Sequence, residues 1–148
     1  MVFEPLLGWR AVQVTRRRTA KDFAEVLRWL VEDVHGDADK VVLVTDNLNT
    51  HKLASLYEAF DPEQARRLAE RIEWHYTPKH GSWLNMAEIE LSVLERQALG
   101  ERLENQEQLV RVTSAWEEDR NERGVQVRWR FTTADARIKL HKLYPSLQ

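Results

Sequence analysis

Two acidic positions have the residue types and surroundings to do chemistry. Asp46 directly follows a short apolar run in VLVTDNLNTH. In open α/β folds ligands gather beyond the carboxyl ends of the strands, because side chains there leave the sheet toward solvent. A carboxylate at such a point can bind a hard cation through oxygen. An Asp-Asn pair also commonly caps turns and helices, and the local sequence by itself favours that structural role. The second position lies in GSWLNMAEIELSVLE. On a helical wheel of about 100° per residue, Glu88 flanks the apolar stripe on the side of Asn85, Ser92 and Glu95, and Glu90 flanks it on the other. Periodicity allows either glutamate at the rim of a cleft, and a solvated glutamate on an amphipathic helix satisfies the pattern too. His51, His75 and His80 are of a type suited to metal binding or proton transfer. No two of them have the helical spacing of an HExxH site, so zinc is not expected. The absence of cysteine excludes a thiol nucleophile, a thiolate zinc site and a disulfide framework. No GxSxG elbow occurs, and the five dispersed glycines form no phosphate-cradling loop.

The elements that must position these residues follow from periodicity. Val2 to Leu6 and Trp9 to Thr15 read as short strands joined through Pro5-Leu6-Leu7-Gly8. In the second, Arg10 and Gln13 take the polar alternation of a half-buried strand. A helix capped by Thr19 follows, with Phe23, Val26, Leu27, Leu30, Val31 and Val34 at helical spacing and Gly36 at its stop. Lys40 to Thr45 (KVVLVT) is almost uniformly apolar and β-branched, the pattern of a central strand covered on both faces. Helices are expected from Lys52 to Phe60 and from Pro62 to Arg71, with Pro62 in a first turn where a missing amide hydrogen costs nothing. Ile72 to Tyr76 is a further strand, closed by the loop Thr77 to Gly81. Ser82 to Leu99 is helical, with Leu84, Ala87, Leu91, Leu94 and Ala98 as its apolar stripe. Helices from Gln106 to Asn121 and from about Thr133 complete a mixed α/β order.

Bulk properties narrow the class. The length of 148 residues suits one domain able to bury a core, and 43% hydrophobic with 31% charged residues is ordinary for a globular protein. No apolar run approaches the ~20 residues of a membrane span, and MVFEPLLGWR has no secretory pattern. A cytoplasmic location is expected. A net charge of −2 argues against binding nucleic acid through overall positive charge. Local basic clusters at Arg16 to Arg18, Arg66, Arg67 and Arg71, Arg128 and Arg130, and Arg137 to Lys142 read first as solvated faces.

The strings VLVTDNLNTHK, HYTPKHGSWLNMAEIELSVL and WRFTTADARIKL, in that order, resemble the catalytic domain of DDE/D transposases of mariner-like bacterial insertion sequences. The likeness runs from about Phe3 to the carboxy terminus. It implies an α/β fold, a ribonuclease H-like mixed sheet flanked by helices, and a set of carboxylates holding two magnesium ions, with manganese as substitute. Asp46 matches the second carboxylate of that set, and Glu88, in Asn85-Met86-Ala87-Glu88, matches the third. The resemblance thus selects Glu88 over Glu90. The interval between them exceeds the shorter family spacings, and the extra length is expected in the Asp61 to Glu73 helix. The same motif loops hold His51, Lys79, His80 and Trp83, which are expected to touch DNA phosphates or support the site. DNA, as transposon ends and target, is the implied partner.

The chain also departs from the pattern. The family's first catalytic Asp lies on a first strand, upstream of the matched segment, and none of Glu4, Asp22, Glu25, Glu32, Asp33, Asp37 or Asp39 stands in its place. Residues 1–148 therefore read as a single truncated ribonuclease H-like catalytic domain lacking its first strand and the amino-terminal end-binding modules. Three functions compete. One is a segment for metal-dependent DNA strand cleavage and transfer. The second is an inactive remnant that folds or self-associates, with a dimer through an exposed sheet edge as the expected form, and at most binds DNA or metal weakly. The third is a nuclease of another ribonuclease H-like kind, which needs a third acid converging on Asp46 and Glu88.

Overall fold

In the computed structural model, residues 1–78, 85–127 and 132–139 are described. The first hairpin forms as the turn chemistry demands. Val2–Glu4 (β1) pairs antiparallel with Trp9–Ala11 (β2), Val2 opposite Ala11 and Glu4 opposite Trp9. Gly8 closes the turn at φ +72°, and a Cβ there would lie 3.0 Å from the Gly124 backbone. Both the backbone conformation and the close approach require glycine. The second strand stops at Ala11 rather than Thr15. Beyond Val2 the short β1 offers no further partner, and the Val12 amide donates instead to Glu117 Oε2 at 2.7 Å.

Thr19 opens α1 (Ala20–Trp29) with a full capping box, its side chain accepting from the Asp22 amide while Asp22 reaches back to the Thr19 backbone. The helix loosens into a π-helical turn, Leu30–Val34, before His35. Gly36 follows its end, where a Cβ would sit 2.8 Å from the Glu32 carbonyl oxygen, so the close approach there favours glycine. Arg71 Nη2 donates to the carbonyls of His35, Gly36 and Ala38 at 2.8, 2.9 and 2.6 Å, placing a cation on this negative helix end.

Val41–Thr45 (β3) and Ile72–Tyr76 (β4) pair in parallel and in register, Val41 beside Ile72 through Thr45 beside Tyr76. Parallel neighbours need a crossover, made by α2 (Ala54–Ala59) and α3 (Pro62–Glu70), the latter capped by Asp61 with Pro62 in its first turn. The main core lies between this pair and its helices. Ala24, Leu27, Val31, Leu56, Ala65, Leu68 and Ile72 are buried there, with Val41, Leu43 and Trp74 packed against them. The expectation that β3 is covered on both faces is corrected. Val42 and Val44 are 62% and 54% exposed, because α1, α2 and α3 cover one face only.

The remaining helices are α4 (Met86–Ala98), α5 (Gln106–Glu122) and α6 (Thr133–Lys139). α4 and α5 pack on each other and on the β1–β2 hairpin. The fold is the α/β, ribonuclease H-like arrangement expected. Its mixed character is divided between one antiparallel and one parallel pair, which are not hydrogen-bonded to each other among the described residues. Trp9 stacked on Trp29 (centroids 6.2 Å apart) and Glu4 near His35 (4.0 Å) join the two parts. Among the described residues no helix is long and apolar enough to cross a membrane.

Candidate active site

The carboxyl ends of β3 and β4 are tied together before the chain reaches Asp46. The Thr77 amide donates to the Thr45 carbonyl (2.9 Å), Trp74 Nε1 to Thr45 Oγ1 (3.0 Å) and Asn47 Nδ2 to the Thr77 carbonyl (2.6 Å). Thr45 and Thr77 are almost fully buried, 7% and 5% exposed, so these bonds fix the strand ends in a dry setting. The next turn closes on itself, with the His51 amide donating to the Leu48 carbonyl (2.9 Å) and Ser55 Oγ to the Thr50 carbonyl (2.7 Å).

Asp46 leaves the end of β3 with its side chain 40% exposed. Its Oδ1 accepts from the Leu48 amide at 3.1 Å and lies 2.5 Å from His51 Nδ1. The turn-capping role and an exposed carboxylate therefore coexist, because one oxygen holds the turn while Oδ2 has no hydrogen-bond partner among the described residues. His51 is held from its other face by Phe23, whose ring centre lies 4.4 Å away. His51 borders a cavity of about 170 Å³ walled also by Val2, Ala11, Phe23, Val26 and Leu48. Phe23, which the periodicity assigned only to a helix stripe, thus supports the His51 ring.

Glu88 stands in the first turn of α4, after Asn85, whose side chain caps the helix by accepting from the Ala87 amide. It is exposed, and no partner holds its carboxylate among the described residues. Glu90 differs sharply. It is 1% exposed, and its Oε1 lies 3.0 Å from Arg10 Nε, 2.7 Å from Arg120 Nε and 2.7 Å from Arg120 Nη2. Burial lowers the Arg10 pKa first, and the Glu90 charge opposes that shift. Here the structure corrects two expectations. Arg10 is not the solvent-facing residue of a half-buried strand but 0% exposed, and the apolar stripe of α4 packs only along one side, with Leu94 buried at 1% and Leu91 48% exposed. A lone arginine inside a strand and a glutamate beside a stripe carry no local signal that they will meet. Lys79, His80 and Trp83 lie outside the described residues.

The donor chemistry fits a hard divalent cation in part. Asp46 and Glu88 each offer an exposed carboxylate oxygen, and magnesium accepts one or two protein carboxylates with water and phosphate oxygens completing its shell. Among the described residues, no three His, Cys, Asp or Glu side chains cluster closely enough to hold a metal together. Of the basic clusters, Arg66 and Arg67 form exposed i,i+4 pairs with Glu70 and Glu63, Arg16 to Arg18 and Arg137 are exposed, and Arg71 caps the first helix; Arg128 and Arg130 lie outside the described residues.

With a parallel strand pair, an Asp at its carboxyl end and a Glu on a following helix in place, residues 2–110 match the family model of the DDE superfamily endonucleases. That is well over half the chain, and the protein belongs to this family. Endonucleases of this superfamily act on DNA and generally use divalent metal ions. No curated protein and no solved structure matches the chain.

Proposed function

We propose that this chain is a catalytic-domain unit of a transposase of the mariner-like insertion-sequence kind, serving magnesium-dependent DNA strand cleavage and strand transfer. The observation that carries the reading is Asp46, an exposed carboxylate braced by Leu48 and His51 at the carboxyl end of a parallel strand, within a segment that belongs to the endonuclease family. In this reading Asp46 and Glu88 are the cation ligands. Bound divalent ions supply activation of a water or 3′-hydroxyl and stabilisation of the leaving oxygen in an in-line phosphoryl displacement. The chain's own part is positional. His51 and the Leu48 amide hold Asp46 Oδ1 so that Oδ2 faces outward, and Phe23 fixes the His51 ring. Lys79, His80 and Trp83 are the proposed contacts to DNA phosphates, together with exposed basic residues such as Arg16 to Arg18. Residues 1–148 act as one unit, in the cytoplasm.

A second reading is favoured by a specific observation. Among the described residues β3 pairs with β4 alone, leaving its other edge unpaired, and Val42 and Val44 of this strand are exposed. Such an edge recruits strands, and a self-associating chain without a working active site uses it. Calorimetric titration with manganese separates the two. Binding by the wild type that Asp46→Asn and Glu88→Gln each abolish supports the site; no binding, or binding indifferent to both, leaves the fold without its chemistry.

A further inference from the structure

We infer that the buried Arg10–Glu90–Arg120 triad sets the roll of α4 about its axis, and through it the direction in which Glu88 faces. The inference rests on the proposal that Glu88 is a ligand, but its structural half stands apart from it. The departure of α4 from its own sequence pattern is the starting point. Its apolar stripe centres on Ala87, Leu91, Leu94 and Ala98, and hydrophobic burial alone turns that stripe inward. The helix instead buries Glu90 and Leu94 and leaves Leu91 48% exposed. The packed face is thus rolled by roughly 50° on a wheel of about 100° per residue. The charge on Glu90 is what draws the helix round.

The two arginines come from different elements: Arg10 is held largely by groups outside α4, whereas Arg120 rests on Trp116 of its own helix and gives its side-chain hydrogen bonds to Glu90 and Gln97 of α4. Arg10 sits in β2, and its guanidinium is 0% exposed. Nη2 donates to the Val125 carbonyl at 2.5 Å, Nη1 to Asn121 Oδ1 at 3.3 Å, and the guanidinium lies 5.1 Å from the Phe3 ring centre. Among the described residues Arg10 Nε has no well-aligned hydrogen-bond partner, and it meets Glu90 Oε1 at 3.0 Å as an ion pair. Arg120 sits in α5 with its guanidinium 5.1 Å from the Trp116 ring centre. The side chain of Asn121 bridges α5 to β2, accepting from the Arg10 amide at 2.9 Å and donating to the Arg10 carbonyl at 2.8 Å. A hairpin and a helix locked in this way present two cations to one carboxylate, which defines a single roll for α4. Because Glu88 precedes Glu90 by two residues, about 200° round the helix, seating Glu90 inward turns Glu88 outward. Stability alone is a poor reason for the triad, because apolar residues of similar volume commonly hold buried sites as well or better.

The test compares wild type with Arg10→Met/Glu90→Leu/Arg120→Met, and with Glu90→Gln should the triple variant fail to fold. The chain has no cysteine, so nitroxide labels on Glu63→Cys in α3 and Glu95→Cys in α4 report the position of α4 by pulsed electron resonance. The expected result is one narrow distance in the wild-type background. In the triple variant, or in Glu90→Gln, it shifts by about 4 Å, the arc of such a roll on a helix about 10 Å across, or broadens clearly, while the thermal midpoint of the triple variant does not fall. Unlabelled triple variant is expected to bind manganese at least tenfold more weakly than wild type. An unchanged narrow distance overturns the proposal, as does wild-type manganese affinity in a folded triple variant. If wild type itself binds no manganese, the ligand reading of Glu88 fails, and the distance alone decides the triad.

Discussion

Removing the carboxylate from the triad while leaving both arginines is the perturbation with the largest effect the structure supports. In Glu90→Leu, the guanidinium groups of Arg10, whose side chain is 0% exposed, and of Arg120, whose side chain is 11% exposed, lose the oxygen that lies 3.0 and 2.7 Å from them. At an effective dielectric of about 20, each contact at ~3 Å contributes roughly 5 kcal/mol of Coulomb attraction. Desolvation already offsets much of this in the wild type, so the net loss is governed by two like charges left facing each other in a dry site. Breaking a buried pair on one side costs about 3–5 kcal/mol. For a domain of this size each kcal/mol moves the thermal midpoint by about 3 °C, so the expected drop is about 10–15 °C. Arg10→Met/Glu90→Leu/Arg120→Met removes all three charges and is expected to recover the whole of it. The six tryptophans make urea unfolding by fluorescence a direct assay, with circular dichroism melts as a second probe. A loss below 1 kcal/mol in Glu90→Leu, or a triple variant no more stable than the single one, refutes the description of Glu90 as a buried charge neutralised by two arginines.

Three further outcomes follow from the same packing. Leu56, 0% exposed within the main core, is expected to cost about 2–5 kcal/mol on truncation to alanine, whereas Leu91→Ala on exposed α4 surface stays within about 0.5 kcal/mol; equal losses in urea melts contradict the assigned faces. Hydrogen bonds from the Thr19 backbone and then its hydroxyl hold the Asp22 pKa below its usual value. A carboxylate depressed in the folded state adds stability above its unfolded pKa of about 4, and that stability is lost as pH falls through the lower folded value. Asp22→Asn should therefore flatten the stability profile in this acid range, and a profile identical to wild type counts against the capping box. Self-association through β3 predicts a dimer in sedimentation at micromolar concentration that Val42→Lys/Val44→Lys converts to monomer; a wild-type monomer removes the second functional reading.

Local chemistry made much of this protein legible from its residues. The cap at Thr19 and the proline start of α3 after Asp61 depend on neighbours within a few positions, so the sequence contains their whole cause. The order of strands and helices follows from period alone, and so does the location of Asp46 at a strand end. Tertiary structure decided what periodicity leaves open. The length of β2 was set by how far β1 extends beside it. The cover of β3 was set by the number of layers present, which an apolar run cannot specify, so Val42 and Val44 emerge exposed. His51 became the brace of Asp46 because Phe23, far away in sequence, supplies the other face of its ring. The roll of α4 depended on charges from β2 and α5 that lie 80 and 30 residues from Glu90. A wheel drawn on α4 alone contains neither arginine, and burial of a charge is decided by partners that only the folded chain brings together.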